Sequence, residues 1–465
     1  MGREQEHEND VQDDIFYAPL EKSFNRILTP FEEFIHRQTT SGILLMLMAV
    51  LAIFLANSHF SQAYDHLKHI PISIGIGAWG VEKSLHHWVN DGLMAIFFFV
   101  VGLELKREIL VGELADLRKA VLPIAAAVGG MIFPALLYYL FNPEGVPAKG
   151  WGIPMATDIA FALGIIALLA HRVPRALITF LVALAIVDDL GAVSVIAIFY
   201  TETIALHALS AAGFFFGLLL MFNFGGIRKV TPYLIVAIFL WYALLLSGVH
   251  ATLAGVLGAF AVPAMPKYNP ARFTGRIKAL LEKFEQSYKK DANIMKNDEL
   301  QNIVSSLEHG VLNVQTMSQR LEHQWHMPVA YLIIPIFVLV NAGIPLAFSS
   351  FADTLTHPIA LGISSGLILG KFIGITGISW IFLKLGFAKL PKGVRFIQIM
   401  GVSLLAGIGF TMSIFIAELA FAGQENLLLI SKTGIISSSL IAGIVGAIWL
   451  LLVSGPGPEQ NTSSV

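Results

Sequence analysis

The chain has 465 residues, of which 55% are hydrophobic and only 13% are charged, whereas an ordinary soluble domain carries roughly a quarter charged residues. Its net charge of −2 gives no electrostatic footprint for nucleic acid. The absence of cysteine excludes disulfides, thiolate metal sites and catalytic thiols. So much apolar sequence excludes a water-soluble enzyme and indicates an all-α protein that crosses a membrane many times.

Twelve apolar runs are long enough to cross a bilayer, which needs about 20 residues per helix. They lie at 38–57, 87–109, 119–141, 150–170, 175–200, 204–222, 230–246, 248–263, 327–349, 357–382, 396–419 and 427–453. We therefore expect a single membrane domain at 38–453 between an N-terminal tail at 1–37 and a C-terminal tail at 454–465. A hydrophilic insertion at 264–326 is expected to carry one or two surface helices.

The basic residues are distributed unevenly between the two sides of such a bundle. With twelve spans, 25 of the 30 lysines and arginines fall on the side of the N-terminus and four on the other. This positive-inside asymmetry predicts that both termini and the insertion are cytoplasmic. On the predicted outer side, the link between the first two spans alternates with period two at 71–81, which predicts a small β-hairpin.

Four ionisable residues lie near the middle of apolar spans: Asp158 in the fourth, Asp188 and Asp189 in the fifth, and Lys371 in the tenth. Each such group costs about 2.5–3.5 kcal/mol at the bilayer centre. These residues must therefore face a wet cavity, pair with one another or be neutral. A salt bridge between Asp188 and Lys371 would serve helix packing alone, but one lysine cannot neutralise three carboxylates.

The fourth and eleventh spans contain residues that weaken a helix. The fourth reads PMATDIAFALG at 154–164, and the eleventh carries Gly407, Gly409, Thr411 and Ser413. Small residues also serve packing between membrane helices. However, these spans are the middle members of two triples, 3–5 and 10–12, that run in opposite directions, which is typical of inverted-repeat transporters with interrupted helices. Asp158 would then compensate helix N-termini and Lys371 helix C-termini.

The chain resembles the NhaA family of sodium/proton antiporters over most of its membrane part. The matching stretches, in order, are WVNDGLMAIFFFVVGLELKRE at 88–108, ATDIAFALG at 156–164, LAIVDDLGA at 184–192, SGVHATLAG at 247–255, LEH at 321–323, NAG at 341–343, GK at 370–371 and GIGFTMSIFI at 407–416. The N-terminal extension and the long insertion depart from compact members of the family.

The resemblance implies a role for each polar residue of the central spans. Asp189 would be the main sodium-binding carboxylate with Asp188 beside it, Asp158 and Thr157 would complete the crossing of the broken helices, and Lys371 would pair with Asp188 or compensate helix ends. The implied pH-response residues are Glu104, Lys106, Arg107, Glu108, His250, Glu322 and His323. From the residues alone, His250 could equally be a histidine at the membrane interface. Likewise, residues 104–108 could be an ordinary charged end of a membrane helix. The family further implies a homodimer formed through the hairpin at 71–81 and a bacterial inner membrane.

These observations predict a transporter that expels sodium or lithium in exchange for protons and needs no cofactor. Sodium is a hard cation that prefers oxygen ligands, which carboxylates and a threonine hydroxyl supply. A site that holds either a proton or a sodium ion exchanges them by competition. With two titrating groups the exchange would be electrogenic, and the second proton could sit on Asp188, Asp158 or Lys371. The alternatives are a sodium-coupled symporter of an organic anion, a passive channel and an intramembrane aspartyl protease, whose Gly-x-Gly-Asp setting is missing here.

Overall fold

The structure, a computed structural model, describes residues 30–76, 79–201, 204–265, 270–287, 297–345 and 348–454. The helices in chain order are α1 (Pro30–Ala56), α2 (Ser61–His69), α3 (Met94–Leu110), α4 (Leu117–Phe141), α5 (Ile159–Leu168), α6 (Arg175–Phe199), α7 (Leu206–Phe224), α8 (Val230–Ser247), α9 (Leu253–Ala261), α10 (Pro270–Ser287), α11 (Asp298–Val314), α12 (Met317–Pro328), α13 (Ile334–Asn341), α14 (Phe348–Thr356), α15 (Pro358–Ser365), α16 (Lys371–Lys384), α17 (Phe396–Leu405), α18 (Phe410–Ala420) and α19 (Glu425–Val453). The strands β1 (Pro71–Ile76) and β2 (Trp79–Ser84) lie between α2 and α3.

Short helical segments of other geometry lengthen several of these helices. Leu85–His87 and a π-helical turn, Trp88–Leu93, lead into α3, and a 3₁₀ segment, Lys149–Met155, precedes α5. Two further π-helical turns, Val329–Ile333 and Gly366–Gly370, lead into α13 and α16. Such turns are frequent at functional sites, and the last of them ends directly before Lys371.

Ten of the twelve predicted spans correspond to segments that are long and apolar enough to cross a membrane. Within the described residues, nine helices meet that criterion, and α17 with α18 forms a tenth span that bends by 48° at its break. The segment predicted at 87–109 is helical throughout, in three pieces, from Leu85 to Leu110. The segment predicted at 248–263 contains only α9, whose nine residues span about 13 Å. The full count of twelve therefore stays a prediction.

The β-hairpin lies where the alternating pattern predicts it. β1 and β2 pair antiparallel, with Pro71 opposite Ser84 and Ile76 opposite Trp79. The indole Nε1 of Trp88 donates a hydrogen bond to the Ile72 carbonyl (3.0 Å), which anchors the hairpin to the start of the second span. We call this end of the bundle the hairpin end, and the other end, where α3 stops at Leu110 and α12 starts at Met317, the basic end.

In the described part of the insertion, two surface helices precede α12, as expected. α10 and α11 pack on each other, and Leu300 and Ile303 of α11 are buried. The next helix, α12, starts at Met317, ten residues before the predicted start of its span at 327. The start is set by a capping box in which the Thr316 hydroxyl accepts from the Gln319 N–H. Because the first turns of α12 contain charged residues, their low hydropathy does not mark this helix start in the sequence.

Two apolar clusters hold the bundle together. The smaller one is built mainly on α3, α7, α8, α9 and α12, and the larger one joins α1, α3, α4, α5 and α6 to α13 and α15–α19. At the crossing of α4 and α16, a Cβ added to Gly374 would lie 2.2 Å from the Gly129 carbonyl oxygen, so only glycine permits this close approach. Large apolar side chains such as Leu140, Ile198 and Phe224 remain exposed, as expected for a surface that faces lipid.

Candidate ion site

The site is built where two interrupted helices cross. Residues 156–158 separate Lys149–Met155 from α5, and residues 406–409 separate α17 from α18; neither stretch is helical. The Asp158 N–H donates to the Ile408 carbonyl (2.6 Å), and the Thr157 hydroxyl donates to the Ala406 carbonyl (2.8 Å). The first break thereby supplies two donors to carbonyl groups that the second break leaves without helical partners. The predicted interruption of the fourth and eleventh spans is confirmed.

The Asp158 carboxylate joins the N-termini of two half-helices. One oxygen, Oδ1, accepts from the Phe161 N–H (3.1 Å) and so caps α5. The other, Oδ2, accepts from both the backbone N–H (2.9 Å) and the hydroxyl of Thr411, in the first turn of α18. Helix N-termini carry partial positive charge that favours an anion. The geometry therefore places Asp158 where it compensates both N-termini.

Glycine is required at the second break because neighbouring backbone approaches closely. A Cβ added at Gly407 would lie 2.4 Å from the Leu367 carbonyl oxygen, in the π-helical turn that precedes α16. Close by, the Ser413 hydroxyl donates to the Ile153 carbonyl (2.7 Å) and ties α18 to the first half of the fourth span. The two breaks are thus held against each other by side chains as well as backbone.

Asp188 is engaged in an ion pair. Its Oδ2 lies 2.6 Å from Lys371 Nζ, and both side chains are 0% exposed. Of the two predicted roles for Lys371, the structure shows this pairing. Thr157 lies close to the same carboxylate, while Asp188 Oδ1 has no hydrogen-bond partner within the described residues.

Asp189 differs from its neighbour because no basic group pairs with it in the described part of the chain. It is 1% exposed, and its Oδ1 is buried without a hydrogen-bond partner. Successive residues of a helix point about 100° apart, which lets Asp188 face Lys371 while Asp189 faces elsewhere. The nearest charges around Asp189 include three acids, Asp188, Asp158 and Glu104, in addition to Lys371. An ionised Asp189 thus lies in a locally acidic, dry environment that a proton or a cation would neutralise.

The three aspartates are each no more than 1% exposed, so protein closes the site on both sides in this state. The described residues contain no group of three or more histidine, aspartate or glutamate side chains arranged to hold a metal ion. Among the described residues, Asp189 Oδ1 without a hydrogen-bond partner and the Thr157 hydroxyl close to Asp188 form a sparse donor set. Such a set suits an ion that must be bound and released.

A second group of charges lies at the basic end. Arg107 forms ion pairs with Glu108 (3.1 Å), within α3, and with Glu322 (3.2 Å), on α12. Glu104 is 3.5 Å from His326, again between these two helices. The group borders a cavity of about 410 Å³, which is lined by Arg107, Gln315, Gln319, Glu322, His323 and His326. Of the predicted pH-response residues, the structure brings Glu104, Arg107, Glu108, Glu322 and His323 together here.

Lys106 and His250 are placed differently. Lys106 Nζ donates to the carbonyl oxygens of Phe260 (2.7 Å) and Val262, at the C-terminal end of α9. A positive charge there stabilises the helix dipole and satisfies terminal carbonyls. His250 contacts the Tyr200 carbonyl through Nε2 (2.8 Å) and lies near Asp91, toward the hairpin end. His250 is therefore not part of the group around Arg107.

Two residues that the site uses were absent from the predicted set. Thr411 binds Asp158 through both its N–H and its hydroxyl. The sequence feature that could have identified it is its position in the GIGFTMS stretch. His326 pairs with Glu104, and its signal was its spacing of four residues from Glu322, which puts both on one face of α12.

Comparison with known proteins gives a consistent result. A family model described as Na+/H+ antiporter 1 matches residues 32–450. Similar curated proteins include the Na(+)/H(+) antiporter NhaA 1 of Saccharophagus degradans, which is 55% identical over 95% of this chain and 96% of the relative. The Na(+)/H(+) antiporter NhaA of Sulfurimonas denitrificans is 52% identical over 94% of this chain and 98% of the relative. That of Dichelobacter nodosus is 44% identical over 96% of this chain and 97% of the relative.

The buried ion pair yields a test of what Lys371 does. Lys371→Met leaves the Asp188 carboxylate buried and unpaired, so we expect the free energy of unfolding at neutral pH to fall by about 3–5 kcal/mol. Combining it with Asp188→Asn should restore most of the loss, because no uncompensated charge then remains. Denaturant unfolding in detergent measures both. Lys384→Met, at the exposed end of the same helix, is the control and should cost less than about 1 kcal/mol. A double variant as unstable as Lys371→Met would contradict this account of the pair.

Proposed function

Because this chain belongs to the Na+/H+ antiporter 1 family and exchanges sodium ions for protons across a membrane, we propose that the exchange takes place at Asp189. The chain belongs to a family of transporters, and we propose no enzymatic activity and no resident cofactor. Lithium is proposed as an alternative to sodium. The sodium-coupled symport of an organic anion is not favoured, since the closed site holds no described cavity for such a solute.

The observation that carries the proposal is the unpartnered Asp189 carboxylate. A buried charge without a partner is costly and is retained in membrane segments where it serves an ion path. Asp158 is already satisfied by two helix N-termini, and Asp188 is matched by Lys371. Asp189 is the acid left to accept the transported ion. Its neighbour Asp188, and Thr157, which lies close to Asp188, would contribute further oxygen ligands once sodium enters.

Competition follows from this environment. A proton and a sodium ion each neutralise Asp189, and the surrounding acids disfavour leaving it ionised and empty. The site therefore changes sides loaded with one ion or the other, which couples the two fluxes. The broken helices make such a change feasible, because short half-helices joined by unwound backbone can shift without breaking a continuous helical ladder.

We further propose the direction and the stoichiometry of transport. The charge distribution supports a cytoplasmic basic end, in a bacterial inner membrane, with both termini on that side. Protons driven inward would then expel sodium. Lys371, Asp188 and Asp158 are the candidates for a second proton, which would make the exchange electrogenic. The homodimer is proposed to form through the hairpin, on which Ile74 is 60% exposed.

Regulation by pH is proposed to arise at the group around Arg107. The Arg107–Glu322 and Glu104–His326 pairs connect α3 to α12. Glu104 is also one of the charged residues near Asp189. Histidine changes charge close to neutral pH, and His323 and His326 both line the cavity at this end. A change of protonation there would alter how α3 and α12 are held together at the entrance to the site.

The function is tested with Asp189→Asn in everted vesicles. In the unchanged protein, sodium added outside should dissipate an acid interior, whereas the variant should not, because the amide cannot exchange a proton for a cation. Fluorescence dequenching of a pH-sensitive dye between about pH 6.5 and 9 measures the exchange. The control is Asp65→Asn on the exposed face of α2, which should exchange normally. Wild-type exchange by Asp189→Asn would remove the central assignment.

Regulation is tested with Glu322→Gln. Loss of the charge that holds Arg107 should shift the pH of half-maximal exchange by about one unit, while the maximal rate stays within about twofold of normal. Exchange measured at a series of pH values gives both quantities. Glu308→Gln, on the exposed face of α11, is the matched control. An unchanged profile would mean that the group only anchors the helix ends.

A further inference from the structure

A second buried ionic group lies at the hairpin end, away from the ion site. Glu418, near the C-terminus of α18, has a side chain that is 8% exposed. Its Oε1 is 2.6 Å from Nζ of Lys432 on α19 and 3.4 Å from Nε2 of His86, just after the hairpin. Neither the sequence motifs nor the mechanism uses these three residues.

Two asparagines extend the group onto a fourth element. His86 Nε2 is 3.0 Å from Asn341 Oδ1, at the end of α13. The same nitrogen faces Asn90 Nδ2 (3.3 Å), and Asn341 Nδ2 donates to Asn90 Oδ1 (2.8 Å). With the hydrogen assigned to His86 Nε2, this nitrogen donates to Asn341 Oδ1, and Asn90 joins the network by accepting from Asn341. Five side chains thus form one network, which we call the hairpin-end network.

The network lies on the line from the ion site to the hairpin end. Glu418 follows Thr411 by seven residues, which is two turns, or about 10 Å, along the same face of α18. Between them, Phe415 packs against Phe98 (ring centroids 5.5 Å apart) and Phe337 (6.2 Å). An aromatic layer therefore covers the site on this side, and the polar network covers the aromatic layer.

The contacts of the network join elements that carry the ion site to elements that do not. α18 contributes Thr411 to the cap of Asp158, and α19 packs on α18 and supports its start through Ser439, whose hydroxyl accepts from the Phe410 N–H (3.2 Å). His86, Asn90 and Asn341 stand on segments that contribute no group to the site. Opening a path from this end requires α18 to part from these segments, and the contact between His86 Nε2 and Glu418 Oε1 must then break.

We propose that the hairpin-end network is the outer gate of the exchanger, with Glu418 and His86 as the positioning residues that hold it shut. The inference rests on the proposed function. Glu418 and Lys432 stay paired on the moving elements, whereas the contact from His86 to Glu418 forms only when the gate is closed. Removing either partner deletes this contact, which only the closed state makes, and causes no corresponding loss in the open state. The closed state therefore loses stability relative to the open one.

The test measures sodium affinity separately at the two faces, in vesicles of both orientations, for Glu418→Gln and His86→Asn. A gate that opens more readily raises the fraction of proteins whose ion site faces outward. The apparent affinity for sodium at the outer face rises with that fraction. We expect the KM for sodium at the outer face to fall by about fivefold or more and the KM at the inner face to rise. A variant that was merely destabilised would not move the two values in opposite directions.

The controls separate the gate from the function on which it rests. Glu425→Gln removes a nearby exposed acid at the start of α19 and should leave both KM values unchanged. The double variant should show less than the sum of the two single effects, because the two residues act through one contact. If the unchanged protein exchanges sodium but both variants keep its KM values, the gate is overturned and the proposed function stands. Absence of exchange in the unchanged protein would overturn the proposed function and the gate together.

Discussion

The arrangement of the site depends on one carboxylate that holds two helix ends. Asp158 accepts from the first turns of α5 and α18, and the N–H of the same residue donates to the opposing break at Ile408. Without an anion at this point, two partial positive charges would face each other in a medium that screens poorly. Thr157 of the first break lies close to Asp188 on α6, which pairs with Lys371 on α16. The crossing of the breaks thereby fixes the position of the remaining charges.

The two adjacent aspartates then acquire different surroundings from the same helix. Asp188 meets Lys371 at 2.6 Å, and Asp189 meets no cation among the described residues. The pair with Lys371 removes one negative charge from the region and leaves a single acid in need of neutralisation. A proton and a sodium ion are equivalent in that respect and differ in size and coordination. We therefore propose that the exchange is a consequence of charge balance in a closed, low-dielectric site.

Much of the fold followed from the sequence because the membrane restricts the choices. Apolar runs, the alternating segment before Trp88 and the weakened helices around Asp158 and Gly407 each correspond to described elements. The start of α12 was misplaced because a capping box at Thr316 outweighed the polar character of the residues that follow it. The segment 248–263 contains only a short helix, since the left-handed Gly248 ends α8 and a turn precedes α9.

The acidic residues of the site could be predicted from the sequence, whereas the groups that bind them could be predicted less well. A charge in an apolar run is visible in a sequence, whereas the residue that satisfies it depends on which faces meet. The choice for Lys371 between an ion pair and a helix end, and the contacts of Thr411 and His326, required the tertiary arrangement. The separation of His250 from the group around Arg107 also depends on where helix ends lie in the bundle.

The central claim is that sodium and protons compete for Asp189. It is tested most directly by calorimetric titration of the purified full chain with sodium at several pH values, in two buffers that differ in their heat of protonation. Competition predicts that the sodium Kd rises by about tenfold for each unit of acidification in the range where the site is protonated. It also predicts that sodium binding releases protons into the buffer. A sodium Kd that is independent of pH, with no proton released on binding, would contradict the account.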